Sequence, residues 1–163
     1  MQNLVARYHQ HRNEYIRHSS QYSETDVRED FINPFFELLG WDVTNKRNLP
    51  RRLREVVRET RVAVGEHTKR PDYEFKLGPE RKFFIEAKKP NVDIINQSEF
   101  SFQIRRYGWS ANLKVSLLTN FEHLVIYDTT IQPNTHESAN HSRLHRFHYS
   151  DYVTHFDEIA ALI

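Results

Sequence analysis

Apolar positions along this chain alternate between a helical and a strand period. Leu4, Val5, Tyr8, Tyr15 and Ile16 recur at roughly helical spacing and predict an amphipathic helix over residues 2–18. Ser19, Ser20 and Ser23 break that pattern and supply a cap for a second helix over about 24–39, which Gly40 stops. Residues 41–50 read as a short strand and a loop, and Leu53 to Glu59 as a helical turn. Strand patterns follow at 61–64, 71–77 and 82–88, and the Gly78-Pro79 turn makes the last two an antiparallel hairpin. Phe100, Ile104 and Tyr107 restore helical spacing over 98–111, before two buried strands, Val115 to Asn120 and Leu124 to Asp128. A polar, histidine-containing stretch at 132–146 leads to a last amphipathic helix carrying Tyr149, Tyr152, Val153, Phe156, Ile159 and Ala160. Both helices and strands are predicted, so the chain reads as a mixed α/β (α+β) domain.

Three stretches break their own patterns. In the helix at 24–39, Phe31, Ile32, Phe35, Phe36, Leu38 and Leu39 define one face. Projected back at about 100° per residue, the centre of that face passes through Arg28 and Glu24; Glu29 falls at its edge and Asp30 well off it. Either the first turn overhangs the core and Glu24 pairs with Arg28 at i, i+4, or both are aimed at something. Gln103 lies on the apolar stripe of its own helix in the same way.

The third break is the strand 82–88. Phe83 and Ile85 take one face while Phe84, Glu86 and Lys88 take the other, so the strand is apolar on both sides and should be central to its sheet. A glutamate and a lysine ending such a strand are partly desolvated, which is costly without a partner or a metal. Asp72 opens the preceding strand, so the hairpin brings Asp72 and Glu86 face to face, with the Ala87 carbonyl as a third oxygen. Mg²⁺ prefers such a set, one or two carboxylates plus waters. Phosphodiester hydrolysis needs what it supplies, a nucleophilic water and charge compensation. Lys88 would place an ammonium beside the attacking water but could not act as a base while protonated. The bare pattern has a plainer reading, an exposed hairpin with a surface ion pair.

Composition narrows the classes. The chain has 163 residues, 38% hydrophobic and 13% aromatic, enough for one domain with a core rich in Phe and Tyr. No internal repeat, low-complexity segment or linker divides it. With no cysteine, disulfides, thiolate metal sites and zinc knuckles are excluded. The N-terminus lacks a signal-peptide pattern and no apolar run reaches membrane-spanning length, so a soluble cytoplasmic protein is expected, with no membrane partner. Net charge is only +1, but Lys46, Arg47, Arg51, Arg52, Arg54, Arg58 and Arg61 outnumber Glu55 and Glu59 locally, a patch suited to phosphate. His136, His141, His145, His148 and His155 crowd one region without a His-Glu-x-x-His spacing and read as a polar connection. The last helix runs into Ile163 without a glycine cap or polar tail, which suggests a module of a longer protein.

Taken together, Arg70-Pro71-Asp72, Glu86-Ala87-Lys88-Lys89-Pro90, Glu24 ahead of Arg28 in a helix ending Leu39-Gly40-Trp41-Asp42, and Gln103-x-x-x-Tyr107 resemble the PD-(D/E)xK nuclease domain at the N-terminus of restriction-modification proteins. Type I restriction subunits and fused type IIG restriction-methyltransferase proteins carry such domains. The resemblance covers about residues 15–130. It implies a mixed central β-sheet flanked by helices, a restriction-endonuclease-like core. It implies that Asp72, Glu86 and Lys88 are catalytic with Glu24 and Gln103 completing the site, and that Asp72, Glu86 and Ala87 hold Mg²⁺, for which Mn²⁺ can substitute. Arg70, Lys89, Arg51, Arg52, Arg106 and Tyr107 are the candidate DNA contacts, with Arg54, Arg58, Lys69 and Arg105 as further basic residues suited to phosphate, Tyr107 having packing as its alternative and the basic residues a solvated face.

The expected activity is therefore Mg²⁺-dependent endonucleolytic hydrolysis of duplex DNA, one strand per site, leaving a 5′-phosphate. Dimerisation would then serve double-strand cleavage. No phosphate loop and no Asn-Pro-Pro-Tyr-like signature occur, so motor, methyltransferase and specificity functions fall to other modules, in this chain or a partner. The rivals are a non-cleaving nucleic-acid-binding or assembly module, and a nuclease acting on RNA or branched DNA.

Overall fold

The strands are β1 (Val56–Arg58), β2 (Val62–Val64), β3 (His67–Lys69), β4 (Tyr73–Leu77), β5 (Glu80–Ala87), β6 (Val115–Thr119), β7 (His123–Asp128) and β8 (Arg143–His148). In the computed structural model, which describes residues 1–163, six of them form one sheet in the order β1-β4-β5-β6-β7-β8. Strands β2 and β3 make a separate antiparallel hairpin. Every pairing in the large sheet is antiparallel except β5 with β6. A parallel pair needs a crossover, and helix α4 (Ser98–Ser110) provides it. The fold is thus mixed α/β with a restriction-endonuclease-like core, as the sequence implied.

Two apolar cores cover the two faces. The larger joins Phe83, Ile85 and Ala87 of β5 to Leu4 and Tyr8 of α1 (Gln2–Arg17) and to Phe31, Phe35 and Phe36. The smaller takes Phe84 with Ile104 and Tyr107 of α4 and Val62 and Val64 of the hairpin. Strand β5 is buried on both sides and lies third in the sheet, so its expected central place holds. Helix α4 lies tight against β6: a Cβ on Gly108 would stand 2.6 Å from Ser116 Oγ and from Thr129 Cβ.

The second helix is one element in three parts. An α-turn, α2 (Glu24–Val27), passes through a π-turn (Arg28–Ile32) into α3 (Asn33–Leu38). Ser23 caps it with a reciprocal box to Asp26. Pro34 explains the π-turn: it has no N–H for the Asp30 carbonyl and its ring crowds that carbonyl. The ladder shifts so that Asn33 N–H donates to Arg28 C=O, and the Asp30 carbonyl accepts from the Arg7 guanidinium instead. Leu38, placed on the inward face by the wheel, is 46% exposed. The wheel assumes an unbroken α-helix, and the wider turn rotates the residues beyond it.

Four local expectations are corrected. Residues 41–50 form turns with no strand, held by Asp42, whose carboxylate accepts from the Lys46 and Arg47 N–H groups. Leu53 to Glu59 is not helical; a 3-10 turn at Arg51–Leu53 gives way to β1, whose Val56 and Val57 are too short a run to reveal a period. The polar stretch at 132–146 conceals the start of β8, an edge strand in which Phe147 alone is buried; its pairing with β7 replaces hydrophobic alternation. The last helix, α5, spans only Phe156–Leu162, because Tyr149–Asp151 is a 3-10 turn boxed by His148 and Asp151.

Candidate active site

Tyr73 pairs with Ile85, so one further step along the antiparallel ladder sets Asp72 opposite Glu86. The site therefore forms where β4 begins and β5 ends, beside the end of its parallel partner β6. Ligands in α/β sheets gather at such carboxyl ends. Asn120, just past β6, fixes the outgoing chain by donating to the Pro90 and Val92 carbonyls, and Lys88 N–H donates to Thr119 C=O.

Each polar side chain is held by another. Arg28 donates to Asp72 Oδ1 and, at 2.5 Å, to Glu24 Oε1, while Ala87 N–H donates to Asp72 Oδ2 at 2.7 Å. Lys88 Nζ donates to Glu86 Oε1 at 2.7 Å and lies 5.4 Å over the Phe100 ring; Gln103 Nε2 donates to the same Glu86 oxygen at 2.9 Å. Gln103 also donates to the Tyr107 hydroxyl at 2.9 Å. The five residues that the sequence singled out thus gather at one place in two hydrogen-bonded sets: Arg28 bridges Glu24 and Asp72, Glu86 receives Lys88 and Gln103, and the Ala87 N–H on Asp72 ties the two sets together. The Glu24–Arg28 pair exists, and it extends to Asp72.

Charge is unbalanced here, with three carboxylates against Arg28 and Lys88. Burial first, and the Asp72 charge next, push the Glu86 carboxyl up to about 7. Burial pulls Lys88 down, but Glu86 and then Glu24 and Asp72 outweigh it, so the ammonium stays protonated above its ordinary range. Glu86 Oε2 is buried with no hydrogen-bond partner.

That orphan oxygen is the test of whether a cation fits. A buried carboxylate oxygen without a donor is costly, and a hard divalent ion accepted by Glu86 and Asp72 would remove the cost. Asp72 can still take part, since a carboxylate has about four acceptor sites and Arg28 and Ala87 use two. Three acidic or histidine side chains do not converge at ligating distance anywhere in the chain. Two carboxylates, with the Ala87 carbonyl that the sequence offered as a third oxygen, would suit Mg²⁺ with its retained waters rather than zinc.

The candidate DNA contacts separate. Arg70 and Arg52 are exposed; Arg51 is exposed too, and donates to the Arg58 carbonyl. Arg106 is half-buried over the Phe102 ring in a small cleft with Lys69, Gln103 and Tyr107, whereas Arg105 is buried and paired with Glu137 and so is no DNA contact. Lys89 is a structural tie, its ammonium donating to the Ser19 carbonyl between α1 and α2. Tyr107 is a core residue whose hydroxyl steadies Gln103. The sequence pairs Arg28 with Glu24 on the inward stripe but carries no signal of its bond to Asp72, which lies 44 residues away.

Fold and site define a restriction-endonuclease-like α/β domain with a carboxylate–lysine cluster at the end of its central strand. Over 147 residues, 89% of this chain, it is 48% identical to the type II restriction enzyme and methyltransferase RM.Eco57I of Escherichia coli. The similarity relates the chain to a domain of a restriction-modification protein, and the chain spans 15% of that relative's length. No family model matches the chain, and no solved structure does. No helix is long and apolar enough to cross a membrane.

Proposed function

We propose that this chain is the PD-(D/E)xK nuclease module of a restriction-modification protein, hydrolysing phosphodiester bonds of duplex DNA. The observation that carries this reading is the buried, unpartnered Glu86 Oε2 beside Asp72 and a protonated Lys88. Asp72, Glu86 and the Ala87 carbonyl would hold Mg²⁺ or Mn²⁺, which would lower the pKa of a bound water and compensate charge at the phosphate.

The side chains divide the remaining work. Lys88, kept cationic by Glu86, favours the anionic form of the attacking water and offsets charge on the phosphate oxygens. Arg28 orients Asp72, and Glu24 orients Arg28. Gln103 fixes Glu86 through its NH₂ group and keeps its carbonyl oxygen for a water. The water oxygen bonds to phosphorus as the P–O3′ bond breaks; the water loses a proton to solvent and the 3′ oxygen gains one, which leaves a 5′-phosphate. Methyltransferase and recognition functions belong to other segments, in keeping with the fusion that the relative's name describes.

Incubation with supercoiled plasmid and Mg²⁺ or Mn²⁺ is expected to give nicked circles, and Lys88→Ala to abolish them. Equal nicking by the variant would remove Lys88 from the chemistry. Calorimetry should show divalent-ion binding that Asp72→Ala loses; binding that persists would place the ion elsewhere.

A further inference from the structure

Four arginines converge beside Asp72. Arg51, Arg58, Glu59, Thr60, Arg61 and Arg70 line a cleft of about 540 Å³ that contains no apolar side chain. Elsewhere in the same basic stretch Lys46 is paired with Glu37 and Arg47 with Asp42 and Glu55, while Arg54 donates to the Leu49 carbonyl and Arg52 is exposed. In the cleft only Arg58 has such a partner, Glu29 at 2.7 Å. No carboxylate is placed on Arg61 or Arg70, both of them exposed. Glu59 is the one acid in the lining, so the cleft carries a net excess of guanidinium charge. Converging like charges are unfavourable unless a counter-charge joins them. A guanidinium fork matches phosphate oxygens in pairs.

The cleft is also tied to the site. Glu59 N–H donates to the Asp72 carbonyl at 3.0 Å, and Arg70 is two residues ahead of Asp72. Glu59 holds a left-handed φ of 51°, uncommon for a non-glycine residue, which turns the chain from β1 toward β2 and aims Arg58 and Arg61 into one space.

We propose that this cleft binds a non-reacting phosphate of the nucleic-acid strand whose scissile phosphodiester lies at Asp72 and Glu86, with Arg61 and Arg70 as its principal donors. The proposal rests on the nuclease reading for its substrate. Arg61 and Arg70 thereby fix the strand's register without reading its sequence.

Binding of a random-sequence duplex oligonucleotide, measured in chelator across a salt series, tests it. Arg61→Gln is expected to lower the log–log salt slope by about 0.9, the loss of one phosphate contact, and Arg61→Gln/Arg70→Gln by about twice that. Lys114→Gln removes an equal charge at the start of β6, the opposite end of that strand from the site, and is expected to leave the slope unchanged. Equal slopes for wild type and both arginine variants, a Lys114→Gln effect as large as theirs, or a flat wild-type response would each overturn the cleft. Because no cleavage occurs in chelator, these outcomes are independent of the plasmid assay: nicking lost in Lys88→Ala with slopes unmoved leaves the nuclease reading standing, and the converse leaves the phosphate cleft standing.

Discussion

Glu86 and Glu122 are buried to the same depth, 5% and 6% exposed, and stand near the same end of the sheet, Glu86 facing α4 and Glu122 facing α1. Their surroundings differ in satisfaction. Arg12 grips both Glu122 oxygens, at 2.8 and 3.0 Å from Nε, and Tyr8 and His148 add further bonds at 2.7 and 3.2 Å. Burial alone would raise Glu122, but these bonds more than reverse it and hold the carboxyl below its ordinary value. Glu86 has both of its donors on one oxygen, and its carboxyl is pushed up. Burial therefore does not tell a structural acid from a reactive one; what the chain leaves unsatisfied does.

The largest expected effect follows from exchanging charge for shape at each position. Glu86→Gln should reduce plasmid nicking by ~100-fold or more, beyond the cost of losing an outer partner of a metal site. At pH 4.5 its stability in urea should move by less than about 1 kcal/mol, because the folded carboxyl it replaces is protonated there. Glu122→Gln should do the reverse. It strands Arg12 beside a buried amide and costs about 3 kcal/mol, the lower end for breaking a buried pair, since Arg12 is partly exposed and can regain water. A urea midpoint shift with an unchanged m-value is the measurement. A stable, inactive Glu122→Gln protein would erase the distinction.

A smaller effect should come from the packing that delivers Gln103 to Glu86. Gly108→Ala forces α4 away from Ser116 and Thr129, at a cost of about 1–3 kcal/mol as for other overpacked sites. Nicking should fall with it if Gln103 matters, since the displaced helix also carries Gln103. Full nicking in a destabilised Gly108→Ala protein would show that Glu86 functions without Gln103.

The contrast between the two glutamates was only half legible in the sequence. Glu86 announced itself because it ends a strand that is apolar on both faces through Phe83, Phe84 and Ile85, and local spacing carries that information. Glu24 and Gln103 were found because each broke a helical stripe. Glu122 gave no signal: it sits in a turn, and its partners Tyr8, Arg12 and His148 are up to 114 residues away in sequence. The arginine cleft was visible as a basic stretch but not as a site, since only the turn at Glu59 and the β2–β3 hairpin bring Arg70 to Arg51 and Arg58. Edge strand β8 was hidden for the complementary reason, its side chains being mostly polar and its stability coming from pairing.

The smallest and most direct test is the pH dependence of stability in chelator. The folded Glu86 carboxyl titrates at about 7 against an ordinary 4.5, so between those values the folded state holds more protons and stability falls as pH rises. Glu122 has the opposite sign: its contribution is present above 4.5 and is lost as pH falls through its lowered folded value. His123, drawn from 6.5 to about 4 by burial, confuses the raw curve, because its contribution is present above 6.5 and drains away toward pH 4. The difference between wild type and Glu86→Gln cancels both, since each protein keeps Glu122 and His123. Urea midpoints from pH 4.5 to pH 7 should therefore show wild type losing stability relative to Glu86→Gln as pH rises, with the difference levelling off above 7. Parallel curves would mean that Glu86 is as well satisfied as Glu122. In that case the orphan oxygen gives no reason to place a cation there.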